Sequence, residues 1–162
     1  MNTLRPGDAA PEFALLDQHG ERVALSDFHG RSLLLYFYPA ADTPGCTKQS
    51  CSVRDALPDL SSLGVAAVGI SPDVPADQLA FDRKFSLGFP LLADTDHAVA
   101  DAYGAWGERT AYGKTSMGII RSAFVVDAGG HVLASFYKVK PEDTVPKARM
   151  AIAQAGQAES GS

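Results

Sequence analysis

Hydrophobic positions fall in short runs set apart by turn residues, and the period of the runs changes along the chain. Residues 12–17 and 22–25 alternate apolar and polar side chains on either side of Gln18-His19-Gly20-Glu21, which predicts a β-hairpin. Leu33-Leu34-Leu35-Tyr36-Phe37-Tyr38 is apolar on both faces, as expected of a central strand covered on each side. A helical stretch follows over residues 46–63, with Gly64 as its stop signal. The pattern then predicts a second buried strand over 65–70, a helix over 76–86 after the Pro72/Pro75 turn, a short strand over 90–93 and a short helix over 96–103. A loop rich in Gly and Tyr leads to a strand over 122–127. Ala128-Gly129-Gly130 predicts a hairpin turn into a strand over 131–138, and a closing helix occupies 143–155. The small polar tail, residues 156–162, is expected to fray.

Two β-α-β crossovers make parallel neighbours, and the Gly-Gly hairpin adds an antiparallel one. The expected architecture is therefore α/β and thioredoxin-like: a mixed central sheet flanked by helices, with an N-terminal β-hairpin. A chain of 162 residues, 46% hydrophobic and 20% charged, suits a single domain over residues 1–162. The formal net charge of −5 supplies no basic footprint, so neither nucleic acid nor an anionic membrane is an expected partner. Met1-Asn2-Thr3-Leu4-Arg5-Pro6-Gly7-Asp8 has no apolar core of signal-peptide length, and no apolar run approaches the ~20 residues of a membrane span. These features lead us to expect a cytoplasmic protein.

Both cysteines lie within Pro39-Ala40-Ala41-Asp42-Thr43-Pro44-Gly45-Cys46-Thr47-Lys48-Gln49-Ser50-Cys51. Two cysteines are too few for a disulfide scaffold, and in a reducing compartment such a pair is more often catalytic or metal-binding. His19, His29, His97 and His131 are far apart and share no ligand spacing with the cysteines, so no metal is expected. Gly129-Gly130 lacks the surroundings of a nucleotide-binding loop, and no cofactor is expected. A strand that passes through Thr-Pro-Gly into Cys46 sets that sulfur in the first turn of a helix, where unpaired amides and the macrodipole favour a thiolate. The competing reading of Cys46 is a small buried hydrophobe. Thr43 fits a helix N-cap as well as a substrate hydroxyl, and Pro39 fits a strand terminator as well as a shield for the sulfur. Arg121, just ahead of an apolar strand, fits an ordinary surface charge unless it has an anionic partner. Trp106, Tyr103 and Tyr112 flank the site mouth or simply pack in an aromatic loop.

Pro39-x-x-x-Thr43-x-x-Cys46 resembles the peroxiredoxin active-site motif. With Tyr38 before it and Cys51 after it, the string resembles the bacterioferritin-comigratory, or PrxQ, branch. Tyr103-Gly104-Ala105-Trp106-Gly107-Glu108, Tyr112-Gly113-Lys114 and the run from Gly118 to Asp127 resemble the stretch carrying that branch's arginine. The resemblance implies reduction of hydrogen peroxide or an alkyl hydroperoxide, without metal, flavin or haem. It matches Cys46 to the peroxidatic cysteine, Cys51 to the resolving cysteine, and Pro39, Thr43 and Arg121 to the other motif positions. It further implies a thioredoxin-like reductant and a monomer. Ala40, Gln49 and Ala123 stand where the family often has lysine, glutamate and threonine. A thioredoxin-like disulfide oxidoreductase and a non-catalytic redox sensor are the alternatives, the first disfavoured because four residues rather than two separate the cysteines. Five residues along a helix amount to ~7.5 Å of rise and ~140° of rotation, so a Cys46–Cys51 bridge requires unwinding. Thr47, Ser50 and Ser52 are weak helix formers, suited to a segment that opens.

Overall fold

The computed structural model describes residues 3–111 and 113–160. Strands β1 (Ala14–Leu16) and β2 (Arg22–Ala24) form the N-terminal hairpin. They are followed by β3 (Ser32–Phe37), α1 (Pro44–Ser62), β4 (Val65–Ser71), α2 (Pro75–Phe85), β5 (Leu91–Ala93) and α3 (Ala98–Ala102). Strands β6 (Trp106–Ala111), β7 (Lys114–Ile119), β8 (Ser122–Val126) and β9 (Val132–Tyr137) precede α4 (Thr144–Ser160). Seven strands form one sheet in the order β2-β1-β5-β4-β3-β8-β9. Strand β3 runs parallel to β4, with Leu35 opposite Val68, and antiparallel to β8, with Leu35 opposite Phe124.

This register alternates the β3 side chains between two cores. Leu34, Tyr36 and Tyr38 join Cys46, Val53 and Leu60 of α1, Phe81 of α2 and Ala148 of α4. Leu33, Leu35 and Phe37 join Phe13, Phe28, Tyr103, Phe124 and Val126. The continuous apolar run of β3 is thus explained by two buried faces. Helix α1 stops where expected, at a Leu63 C-cap followed by Gly64 with φ of +74°, a left-handed conformation that glycine adopts without a Cβ penalty.

Three expectations need correction. The Gly- and Tyr-rich loop contains a second hairpin, β6–β7, which forms its own two-stranded sheet. Its strands are largely exposed, with Glu108, Arg109 and Thr110 on one and Lys114, Thr115 and Ser116 on the other, so neither face carries the apolar alternation by which a strand is recognised. Helix α4 continues past residue 155 to Ser160, carried on from a stretch with alanines at 148, 151, 153 and 155. The helical stretch read over 46–63 begins two residues earlier, at Pro44, where the N-cap reading of Thr43 puts it and where proline is pre-set for the first helical position. No helix among the described residues is long and apolar enough to cross a membrane.

Candidate active site

The geometry starts at the end of β3. Half-buried Pro39 follows Tyr38, and the chain turns through Asp42, whose φ of +60° is held beside a Lys84 ion pair at 2.9 Å. Thr43 occupies the N-cap of α1 with extended backbone angles. Its hydroxyl does not cap the helix; it donates to the Ala40 carbonyl at 2.8 Å. The first helical bond runs from the Thr47 amide to the Thr43 carbonyl, 2.8 Å, so the Gly45 and Cys46 amides lie ahead of the hydrogen-bond ladder. Cys46 is fully buried in that turn, and its thiol is free. The buried-hydrophobe reading accounts for the burial but not for the neighbour.

That neighbour is Arg121, which the β7–β8 connection directs back onto α1. Its Nη2 donates to Cys46 Sγ at 3.4 Å and its Nη1 to Gln49 Oε1 at 2.7 Å. Gly45 permits this approach, since a Cβ there would meet Arg121 Nη2 at 3.0 Å. Gln49 is fully buried and passes the contact on: its Nε2 donates to Thr144 Oγ1 at 2.9 Å, and Thr144 donates to the Lys140 carbonyl at 3.3 Å. An amide can bridge in this way because it accepts from the guanidinium and donates to the hydroxyl at once, which a carboxylate cannot do. The sequence singled out Gln49 only as a departure. Thr144 carried no signal beyond its place at a helix start.

The opposite side of the first turns is fixed by a second pair. Ser50 Oγ and Tyr36 Oη are hydrogen-bonded at 2.7 Å, both fully buried. Burial pushes the Tyr36 hydroxyl well above the ordinary tyrosine range, and the two nearby cysteines add to the rise, so it remains protonated. Cys51 is half-buried at the margin of the same core and carries a free thiol. Thr43, Cys46 and Arg121 therefore lie at the start of α1, with Pro39 on the loop that leads into it and Cys51 about two turns further along the helix. Tyr103 does not line the mouth: it is fully buried in the other core and donates to the Pro11 carbonyl at 2.7 Å. Trp106 stacks on His97 with ring centroids 3.6 Å apart, and Tyr112 lies outside the described residues. A cavity of ≈ 390 Å³ adjoins Arg121, lined also by Glu108, Arg109, Thr110, Ile120 and Lys138. Three of those residues come from the unforeseen hairpin.

A mixed sheet of this order, with a free cysteine in the first turn of the helix that leaves its central strand, has the layout of thioredoxin-fold thiol proteins. Residues 6–135 match the AhpC/TSA family model. The chain is 51% identical over 146 residues to a putative peroxiredoxin of Mycobacterium tuberculosis, covering 90% of this chain and 93% of that protein. It is 47% identical over 148 residues to the peroxiredoxin Bcp of Escherichia coli, covering 90% and 95%. The solved structure of the peroxidoxin BcpB of Mycobacterium tuberculosis superposes with a TM-score of 0.83 at 33% identity, over 93% of this chain and 97% of that one. The chain belongs to the AhpC/TSA family and stands among its Bcp/PrxQ peroxiredoxins, a relationship that supports thiol-dependent peroxidase activity.

Proposed function

We propose that the chain reduces hydrogen peroxide and organic hydroperoxides through Cys46, forms an intramolecular disulfide with Cys51, and is returned to the dithiol by a thioredoxin-like reductant. The observation that carries this reading is the Arg121 guanidinium 3.4 Å from a cysteine sulfur in the first turn of a helix. Such a donor stabilises negative charge on the sulfur before attack and on the peroxide oxygens during it. In the first step the sulfur attacks one peroxide oxygen, the O–O bond breaks, and the other oxygen leaves with a proton as water or alcohol. Cys46 is then a sulfenic acid, oxidised by two electrons. In the second step the Cys51 sulfur attacks Cys46 Sγ, a disulfide forms and water leaves. Thr43 meets the substrate with its hydroxyl, and Pro39 shields the sulfur from water. Organic hydroperoxides are included because the bacterioferritin comigratory protein of Xanthomonas campestris, a structural relative at 30% identity, has alkyl peroxide reduction activity.

Complete burial of Cys46 favours this reading over a disulfide oxidoreductase, whose nucleophile must reach a sulfur within another protein, whereas a peroxide is small. Both cysteines lie in α1, so one chain suffices and a monomer is the expected working form. Dependence on a thiol reductant fits a cytoplasmic enzyme. The test is steady-state consumption of peroxide with a thioredoxin system. Continuous turnover that Cys46→Ser abolishes is the expected result; a single stoichiometric oxidation would instead show a redox switch.

A further inference from the structure

A line of buried polar groups runs from the end of β3 to the loop before α1, outside the motif positions. Tyr38 Oη donates to Gln78 Oε1, and Gln78 Nε2 donates to Ser71 Oγ at 2.8 Å and to the Leu92 carbonyl at 3.0 Å. Ser71 Oγ donates to Asp73 Oδ2 at 2.6 Å. The same carboxylate oxygen accepts the Ala41 amide at 2.7 Å. Tyr38, Gln78 and Ser71 are fully buried. Burial keeps the Tyr38 hydroxyl protonated, since it pushes that group well above its ordinary range. With Tyr38 donating, Gln78 and Ser71 can each point only one way, and the line terminates on the Asp73 anion.

The Ala41 amide belongs to the same peptide plane as the Ala40 carbonyl, and that carbonyl accepts the Thr43 hydroxyl. A carboxylate on the N–H side of a peptide both fixes the plane and strengthens its oxygen as an acceptor. We infer that Asp73 is a positioning residue for peroxide reduction: through the Ala40–Ala41 peptide it commits the Thr43 proton inward, so that Thr43 Oγ1 presents lone pairs and accepts the O–H of a neutral hydroperoxide beside Cys46. This inference rests on the peroxidase reading above and adds a donor–acceptor direction to it. The selected substrate class is the protonated hydroperoxide, because a reagent without such a hydrogen gains nothing from an oriented acceptor.

The test compares two reagents on Cys46 in the full chain: hydrogen peroxide, which offers an O–H donor, and iodoacetamide, whose reacting carbon offers none. Asp73→Ala should slow oxidation by roughly tenfold, the loss expected for one hydrogen bond, and leave alkylation unchanged. Asp73→Asn, which keeps the shape and one acceptor oxygen, should recover part of the rate and guards against a folding defect. In a Thr43→Val background, Asp73→Ala should cost nothing further, since the hydroxyl it orients is gone. Unchanged oxidation in Asp73→Ala, equal losses with both reagents, or losses that add to those of Thr43→Val would each overturn the inference. A wild-type chain whose Cys46 ignores peroxide would overturn the peroxidase reading and this inference with it, whereas a reactive wild type with an indifferent Asp73 overturns this inference alone.

Discussion

The two faces of the central sheet are built from the same strands and both pack aromatic rings, Tyr36, Tyr38 and Phe81 in front and Phe37, Tyr103 and Phe124 behind, but they differ in what surrounds those rings. Behind Leu33, Leu35 and Phe37, aromatic rings interlock: Phe124 meets Phe37, Tyr103 and Tyr137 at centroid separations of 5.9, 5.3 and 5.4 Å, near edge-to-face. In front, behind Tyr36 and Tyr38, the apolar core is crossed by directional bonds: Tyr36 with Ser50, Tyr38 with Gln78, and Arg121 through Gln49 to Thr144. Apolar packing is non-directional and fails as a unit, whereas hydrogen bonds can be exchanged one at a time. Cys46 sits on the exchangeable face, and the aromatic face serves as its platform. No buried side-chain polar atom among the described residues lacks a partner, so each bond released on the front face must be replaced.

Removing a ring from the platform should have the largest effect on stability. Phe124→Ala is expected to cost about 3–5 kcal/mol of unfolding free energy, read from urea titration, while the peroxide rate of the molecules still folded stays near wild type. A rate that falls in step with stability would erase the division between the faces. Arg121→Ala should do the reverse: oxidation of Cys46 slows by roughly 100-fold in stopped flow, with a much smaller change in stability, because a donor aimed at developing charge is lost. The smallest effect sharpens the picture of the front face. Ser50→Ala strands the buried Tyr36 hydroxyl and should destabilise the first turns of α1 by about 1–3 kcal/mol, hastening disulfide formation and reducing over-oxidation at high peroxide. Ser50→Ala with Tyr36→Phe removes both partners and should restore most of that stability, as measured by amide hydrogen exchange.

This last expectation reverses the one drawn from helix propensity, under which alanine at Ser50 would strengthen α1. Propensity describes a residue facing solvent, and the Ser50 hydroxyl is instead committed to a tyrosine on the neighbouring strand. Ser52 lies nearer that assumption, because its hydroxyl bonds back to the Gln49 carbonyl at 2.6 Å. The same division governs what else was legible. Strand β3, the Gly64 stop and the Cys46 turn are written in local runs of residues, so they could be read directly. The partnership of Arg121 with Gln49 and Thr144, like that of Asp73 with Ala41, joins positions distant in sequence, and only the sheet order brings them together. A polar residue just beyond a buried strand, as Asp73 is beyond β4, was the one available hint. Hairpin β6–β7 left none, having no apolar face to bury.

Under the proposed two-cysteine cycle the first turns of α1 must open: helical when Cys46 awaits peroxide, unwound when Cys46 and Cys51 are joined. Both of its inner anchors, Gln49 and Ser50, lie between the two cysteines, so bridging must draw on the bonds that hold them. Amide hydrogen exchange across residues 43–54, measured on the dithiol and on the peroxide-oxidised protein, tests this most directly. Strong protection of residues 47–53 is expected in the dithiol and its loss after oxidation, with the β3 and β8 amides protected in both. Equal protection of 43–54 in the two states would contradict that cycle.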